Sequence, residues 1–318
     1  MKLAVRLCLA LALGCASAAH AQNYPAKPVH IIVPFPAGSG ADASARQVGQ
    51  KLTELLGQSV MVDNRPGASG IIGTDAAAKA APDGYTTLWA ASTTMAMLPY
   101  LYSKLPFNAE RDFAPISLIN IAYGALQVNA DLPVKDVKDL IAISKKRGLN
   151  AGTIGIGTNT YLFGAWFALT TGADFHFIHY STTQPAVDLL AGRLDLMFDG
   201  LAGNAGAIGA GKVKVLAVAG KARQPAFSNI PTFTEAGFPE YEPLAWGGLF
   251  APASTPHAIL ERLGSATAKA ARSPDIVEAW QKVGTDAIGS SPEEFVAFVK
   301  SEQAKWSRVI KAAGVRLD

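Results

Sequence analysis

This sequence has few cysteines, little excess of either charge and few long hydrophobic segments. Lys and Arg number 28 against 25 Asp and Glu, and charged residues make up 17% of the chain. So small a net charge argues against a dedicated nucleic-acid-binding protein. After residue 21, no apolar run approaches the roughly 20 residues that a membrane-spanning helix needs. Because 49% of the residues are hydrophobic, the chain is predicted to fold around a core.

The first 21 residues have the pattern of an export signal. Lys2 and Arg6 precede an uncharged run, residues 7–19, which ends in the small-residue site Ala19-His20-Ala21. This pattern predicts cleavage before Gln22 and a mature protein outside the cytoplasm.

Both cysteines, Cys8 and Cys15, lie within this segment. The exported chain is therefore predicted to have no disulfide, thiol nucleophile or thiolate metal site. An alternative stays open: Leu13-Gly14-Cys15 could be a lipoprotein cleavage site, although Ala12 makes that match poor.

Short β-branched runs alternate with amphipathic helical stretches from residue 28 onward. This alternation predicts an α/β protein with parallel sheets built from strand–helix–strand units. The length predicts two domains, at roughly 100 to 200 residues each. Strands are predicted at 29–33, 60–62, 86–90, 175–180, 194–198 and 213–218. Helices are predicted at 42–56 and 135–146, ending at Gly57 and Gly148, and after a capping box of Ser291, Pro292 and Glu294.

The loop PFPAGSGAD, residues 34–42, joins a predicted strand to a predicted helix. Unpaired N–H groups at the start of the helix and its positive dipole end can hold an anion there, together with the Ser39 hydroxyl. The loop YSTTQPAVD, residues 180–188, repeats this device, with Pro185 at the predicted helix start. Each loop, taken alone, fits a tight turn before a capped helix equally well.

An enzyme that binds a dinucleotide is the alternative from another class. Gly38, Gly40 and Ala43 satisfy the pattern G-x-G-x-x-A after a strand, and Asp63 follows the next strand, where an acid binds ribose in such enzymes. Against this reading, Asp42 places a negative charge beside any pyrophosphate. Exported proteins also seldom meet soluble nicotinamide cofactors.

A hydrolase or a metal site has less support. The sequence contains neither G-x-S-x-G nor H-E-x-x-H. His176 and His179 are three residues apart on a predicted strand, so their side chains are expected on opposite faces, where they cannot chelate one metal together. No cofactor or metal is therefore predicted.

Four segments together resemble the Bug-type solute-binding proteins of the tripartite tricarboxylate transporter family. They span nearly the whole mature chain, and their order and spacing are specific to that family. The segments are YPAKPVHIIVPFPAGSGAD at 24–42, VDNRPGASGIIGTDAAAKAAPDGYTTL at 62–88, QPAVDLLAGRLDLMFD at 184–199, and IPTFTEAGFPEYE with WGGLFAPASTP at 230–256.

This resemblance implies a two-domain, type II periplasmic-binding-protein fold with a central cleft. Domain 1 would comprise residues 22–120 and 248–318, and domain 2 residues 121–247. The protein would be a monomeric receptor that binds a small organic carboxylate without catalysis and delivers it to membrane transporter subunits.

The resemblance also implies which residues hold the carboxylate. Two loops would contact it, namely Phe35, Pro36, Ala37, Gly38, Ser39, Gly40 and Asp42, and Tyr180, Ser181, Thr182, Thr183 and Gln184. Further contacts are expected from Ser92, Thr93, Thr94, Thr158, Asn159, Tyr161 and Asp199.

Two departures qualify the resemblance, and one matching residue is not expected to bind the ligand. Ser181 and Thr182 stand where the family usually has Lys-Gly, so a different backbone path is expected there. Tyr161 replaces a frequent histidine, and if it faces the cleft it favours an aromatic carboxylate. Arg65 lies away from both loops and is expected to hold its own turn rather than the ligand.

Overall fold

The computed structural model describes residues 24–180 and 184–317. The predicted signal segment 1–21, its cleavage site before Gln22, and Ser181, Thr182 and Thr183 lie outside the described residues. Within the described ranges, no helix is long and apolar enough to cross a membrane.

Eleven strands in the described part form two mixed sheets. The six-stranded sheet has the order β11-β4-β10-β3-β1-β2, and the five-stranded sheet has the order β7-β6-β8-β5-β9. The strands are β1 (Val29–Val33), β2 (Val60–Asn64), β3 (Thr86–Ala91), β4 (Phe113–Tyr123), β5 (Ala125–Asn129), β6 (Leu149–Thr153), β7 (Phe175–His179), β8 (Leu196–Asp199), β9 (Val213–Val218), β10 (Leu244–Pro252) and β11 (Thr285–Ala287).

Ten α-helices connect and cover these strands in the described ranges. They are α1 (Gly40–Leu56), α2 (Ile71–Ala78), α3 (Leu98–Leu101), α4 (Val137–Arg147), α5 (Asn159–Thr171), α6 (Pro185–Leu190), α7 (Ala205–Gly209), α8 (His257–Ala271), α9 (Pro274–Gln281) and α10 (Pro292–Ala313). Short 3-10 segments lie at 68–70, 202–204 and 225–227, and a π-helical turn at 93–97 precedes α3. The predicted ends of α1 at Gly57 and α4 at Gly148, and the capping box that begins α10, are confirmed.

The two sheets share one chain path, a repeat that is not visible in the sequence. In the first, β1 is parallel to β2 and to β3; in the second, β6 is parallel to β7 and to β8. In each sheet the chain adds a strand on one side of the first strand and then crosses to its other side. The carboxyl ends of β1 and β3, and those of β6 and β8, are therefore topological switch points, where α/β proteins bind ligands.

The prediction of parallel sheets is wrong for part of each sheet. Strand β10 runs antiparallel to β3 and β4, and β5 runs antiparallel to β8 and β9. The physical reason is the chain path. Strands β4, β5 and β10 lie next to the crossings between the two sheets rather than in strand–helix–strand units, so no helical crossover sets them parallel.

The chain passes between the sheets at two adjacent points. Gly124 alone separates β4 from β5, and its N–H donates to the carbonyl oxygen of Pro243, the residue before β10, at 2.9 Å. A Cβ at position 124 would lie 2.8 Å from that oxygen, so the close approach requires glycine. The two crossings thus form one narrow connection.

Helix α10 packs against both halves of the molecule with its aromatic side chains. Trp306 stacks on Phe163 of α5 with ring centroids 5.8 Å apart and meets Trp166 edge-on at 5.7 Å. Phe167 is completely buried, and Trp166 packs against the same core. The carboxyl-terminal helix therefore covers α5 as well as the first sheet.

Candidate functional site

Loops from both sheets meet at the two switch points. The loop 34–39 follows β1, and Ser92 directly follows the neighbouring parallel strand β3. In the other sheet, the loop 154–158 follows β6, and β8 ends at Asp199 beside it. Hydrogen bonds between Ser92, Thr93 and Asn159, described below, show that the two sets of loops face each other. We call the space between them the cleft.

The loop before α1 leaves open space where its backbone turns into the helix. Ser39 is the N-cap of α1, and its hydroxyl accepts from the Asp42 N–H at 3.3 Å. Pro36, Ala37, Gly38 and Gly40 are exposed. A Cβ at Gly38 or Gly40 would meet no atom within 4 Å. The helix N-terminus is therefore accessible to a small molecule from the cleft.

Asp42 holds the shape of this loop. Its carboxylate accepts from the Gly38 N–H at 2.8 Å and from Asn64 Nδ2 at 2.9 Å, and it pairs with Arg46 Nε at 2.9 Å. Burial raises the pKa of Asp42, but the hydrogen bonds from Gly38, Arg46 and Asn64 outweigh it and hold the pKa below its usual value. Because Asp42 is only 4% exposed and fully bonded, it positions the loop.

Phe35 belongs to the packed base of the loop. Its ring packs against the core around α1, and its carbonyl oxygen accepts from Asn64 Nδ2 at 3.2 Å. The Ser39 N–H donates to the carbonyl oxygen of Pro36 at 3.2 Å. The predicted first-loop residues therefore divide into an exposed turn and a buried base.

The segment after β3 binds the opposite half of the molecule. Ser92, Thr93 and Thr94 are buried. The hydroxyls of Ser92 and Thr93 lie 3.2 and 3.1 Å from Asn159 Oδ1, the first residue of α5. The Thr94 hydroxyl instead donates to the carbonyl oxygen of Ala91. Three of the predicted site residues, Ser92, Thr93 and Asn159, thus form a direct link across the cleft.

The end of the loop before α5 packs against the other half of the molecule. Thr158 is the N-cap residue by position, but its hydroxyl donates to the carbonyl oxygen of Gly155 at 2.6 Å instead of capping the helix. A Cβ at Gly157 would lie 3.1 Å from Ser69 Oγ and 3.2 Å from Leu317 Cδ1. This loop therefore rests on residues 69 and 317, which belong with the first sheet and the carboxyl terminus.

Tyr161 lies one turn into α5 and is half-buried. Its ring meets Phe177 and His179 edge-on, with centroids 5.0 and 5.5 Å away. Burial raises the pKa of the Tyr161 hydroxyl and lowers the pKa of His179. His179 Nδ1 lies 2.7 Å from the Thr153 hydroxyl. Tyr161, Phe177 and His179 thus form an aromatic cluster between α5 and β7.

The described ends of the second predicted loop are Tyr180 and Gln184. The Tyr180 hydroxyl donates to Asp188 Oδ2 at 2.7 Å, and Arg193 Nε donates to Asp188 Oδ1 at 2.9 Å. Burial and this bond raise the pKa of Tyr180. Gln184 directly precedes α6, whose start at Pro185 is confirmed. The hydroxyl of Tyr180 is therefore bound to its own helix.

Asp199 ends β8 at the second switch point. Its carboxylate accepts from the Gly200 N–H at 2.8 Å, and Gln127 Nε2 donates to its carbonyl oxygen at 3.2 Å. Asp199 is partly exposed to solvent, although protein surrounds its carboxylate. Burial raises the pKa of Asp199 to about 6, against the opposing effect of the Gly200 hydrogen bond.

Residues 67–70 are a part of the site that sequence reasoning missed. Four consecutive residues, Gly67, Ala68, Ser69 and Gly70, have positive φ angles of 131°, 47°, 54° and 95°. Non-glycine residues in this region are strained, and such strain concentrates at functional sites. The two bracketing glycines in PGASG were the available signal. The turn brings Ser69 against Gly157 across the cleft.

Arg65 does not hold its turn through its side chain, contrary to the prediction. The side chain is exposed and forms no ion pair or hydrogen bond with a described residue. The backbone fixes the turn instead, because the Arg65 N–H donates to the carbonyl oxygen of Val33 at 2.8 Å and a Cβ at Gly73 would lie 2.6 Å from the Arg65 carbonyl oxygen.

The features of a dinucleotide site serve other contacts. Asp63 Oδ2 lies 3.0 Å from His30 Nδ1 on the neighbouring strand, so this acid is not free for a ribose. The Gly38 N–H, part of the glycine pattern, donates to the Asp42 carboxylate and is not free for a pyrophosphate. Among the described residues, no cluster of three or more His, Cys, Asp or Glu could hold a metal ion.

Comparison with known proteins agrees with this geometry. Residues 44–315 match the family described as tripartite tricarboxylate transporter family receptor, TctC. The chain is 36% identical over 308 residues to a UPF0065 protein of a Pseudomonas species, covering 96% of this chain and 91% of that one. It is 34% identical over 312 residues to protein BugT of Bordetella pertussis, covering 96% and 94%.

Solved structures share the whole architecture. A protein of R. palustris with adipate superposes with a TM-score of 0.85 at 32% identity, covering 92% of this chain and 99% of that one. The periplasmic binding protein BugD gives a TM-score of 0.83 at 32% identity, covering 92% and 99%. MatC from Rhodopseudomonas palustris with bound malate gives 0.82 at 29% identity, covering 90% and 100%.

The fold is therefore the two-domain α/β fold of periplasmic binding proteins. Within that class, the chain belongs to the tripartite tricarboxylate transporter receptors of the TctC, or Bug, family.

Proposed function

We propose that this protein is a periplasmic receptor that binds a small organic carboxylate in the cleft and delivers it, without chemical change, to membrane transporter subunits. The observation that carries the proposal is the open N-terminus of α1. Gly38 and Gly40 leave room there, while the contacts of Asp42 with Gly38, Asn64 and Arg46 hold the loop in its conformation. Backbone N–H groups at a helix start hold a carboxylate without a cationic side chain.

The arrangement of the two sheets supports capture by closure. We assign residues 22–120 and 248–318 to one domain and 121–247 to the other, a division that the sheet memberships support. Both boundaries fall better at the crossings, after Tyr123 and before Leu244, because cuts at 120/121 and 247/248 would divide β4 and β10. The narrow connection at Gly124 and Pro243 suits a hinge, and the Asn159 link suits the closed state.

The relatives set the expected ligand chemistry. Two of the structurally similar proteins were solved with adipate and with malate, respectively, and both ligands are dicarboxylates. We expect this chain to bind carboxylates of related size, as a monomer. The edge-on rings of Tyr161, Phe177 and His179 also admit an aromatic carboxylate.

A melting screen tests the proposal. Di-, tri- and aromatic carboxylates are added to the mature protein, and a ligand at 100 times its dissociation constant should stabilise it by about 2.7 kcal/mol. The ligand is then recovered and analysed, and it should be unchanged. Stabilisation by no carboxylate, or conversion of the ligand, would contradict the proposed receptor function.

A further inference from the structure

The Asp199 carboxylate, at the end of β8, lacks a cationic partner among the described residues. Asp199 ends the strand that neighbours β6, so it lies beside the loop that carries Thr158 and Asn159. A Cβ at Gly200 would lie 3.7 Å from Ala122 Cβ, on the strand that leads to the crossing between the sheets. Asp199 therefore lies at the base of the cleft, near the connection, rather than at its mouth.

The backbone around Asp199 is held firmly. Gln127, which is fully buried, donates to the carbonyl oxygens of Asp199 and Gly200 at 3.2 and 3.0 Å. Asn204 Nδ2 donates in turn to Gln127 Oε1 at 2.7 Å. This network fixes where the strand ends, and with it where the Asp199 side chain begins.

The Asp199 carboxylate itself has a single partner in the described part of the chain. Oδ1 accepts from the Gly200 N–H, and neither oxygen forms an ion pair with a described Lys, Arg or His. By contrast, Asp42 across the cleft has three partners. A largely desolvated carboxylate without a cation is costly to keep, and the burial-raised pKa of Asp199 records that cost.

A solute could supply the missing donor. Its carboxylate would occupy the N-terminus of α1, where N–H donors are available. A second carboxylate placed near Asp199 would be repelled, whereas a hydroxyl or ammonium would form a charge-assisted hydrogen bond with it. We propose that Asp199 makes the cleft selective for carboxylates that also carry a hydrogen-bond donor. This inference rests on the proposed receptor function.

Pairs of ligands that differ only in the donor test this selectivity. Succinate, L-malate and L-aspartate share a four-carbon skeleton and carry hydrogen, hydroxyl and ammonium on the second carbon. Adipate with 2-aminoadipate, and benzoate with 4-hydroxybenzoate, extend the comparison to other sizes. Titration calorimetry is run on each set that contains a ligand from the melting screen. The donor-bearing member should bind roughly tenfold more tightly, and the malate and aspartate arms tell which donor is preferred.

The variant Asp199→Asn separates this inference from a general effect of shape. The amide keeps an oxygen that can accept from the Gly200 N–H, so the variant should fold, and its melting temperature verifies this. It should lower the preference for the donor-bearing ligand to less than about threefold, because the charge is lost. The matched control Asp195→Asn removes a carboxylate at the start of the same strand, where it pairs with Arg147, and should leave the preference unchanged.

The outcomes are distinct. Equal or tighter binding of the ligand without the donor, or a preference that survives in Asp199→Asn, overturns the role of Asp199 while the receptor function stands. Failure of every carboxylate to bind the wild-type protein overturns the receptor function itself, and with it this inference.

Discussion

The two sheets carry the same structural device at the same topological place, but the devices make different contacts. In the first, β1 leads through Gly38-Ser39-Gly40 into α1; in the second, β6 leads through Gly157-Thr158-Asn159 into α5. The glycines of the first loop are exposed, and a Cβ at either of them would meet no atom within 4 Å. The second is covered by Ser69 and Leu317.

This difference separates two tasks within one repeat. Under the proposed function, the open loop offers a helix N-terminus to a solute. At the second loop, the Asn159 side chain binds the other half of the molecule through Ser92 and Thr93. A receptor needs both, because capture requires a free site and closure requires a contact between halves. The following predictions test this division.

Filling the open loop should have the largest effect. We expect Gly40→Leu to weaken carboxylate binding more than a hundredfold, because the side chain would occupy the space at the start of α1. The apo protein should remain folded, since a Cβ there meets no atom within 4 Å. The melting screen with the best ligand measures both. Gly209→Leu, at an exposed glycine with equally open surroundings, is the control, and equal ligand stabilisation of the two variants would refute the prediction.

Breaking the link between the halves should have a smaller effect. Asn159→Ala removes an acceptor shared by two hydroxyls, which should cost the closed state about 1 to 2 kcal/mol and the affinity roughly tenfold. Small-angle scattering should show a larger radius of gyration for the free variant. Asn150→Ala, at the far end of β6, is the control. If Asn159→Ala matches this control in both affinity and radius of gyration, Asn159 does not stabilise the closed state.

The carboxylate of Asp199 should make stability depend on pH. Its pKa is raised from 3.8 to about 6, so the folded state binds this proton more tightly than the unfolded state. The associated stability is complete below about pH 4 and is lost as the pH rises to about 6. At a pH above that range, the free energy of unfolding of Asp199→Asn should be about 1 kcal/mol higher than that of the wild type, after a discount for partial exposure. Urea denaturation from pH 4 to 8 measures this, and a constant difference across the range would contradict it.

The sequence predicts the first loop well because its information is local. The strand at 29–33 and the helix end at Gly57 depend on neighbours in the chain, and both are present in the structure. Capping and turn chemistry need no knowledge of distant contacts.

The second loop was harder to predict because its role depends on distant residues. Gly157 has the same place as Gly38, but its contacts come from residues 69 and 317, which no local pattern connects to it. Strand β4, the crossing at Gly124 and the antiparallel strands likewise follow from the pairing of distant segments. The roles of Ser181, Thr182 and Thr183 stay predictions.

Calorimetric titration of Arg65→Ala tests most directly the claim that backbone and hydroxyl donors, rather than a cation, hold the carboxylate. Arg65 is an exposed cation next to the strained turn at 67–70, and it has no partner among the described residues. We expect Arg65→Ala to bind the ligand with wild-type affinity. Its free energy of unfolding should lie within about 0.5 kcal/mol of the wild-type value. Loss of binding in Arg65→Ala, with normal binding in Gly40→Leu, would contradict the account and replace the open helix N-terminus with a direct salt bridge.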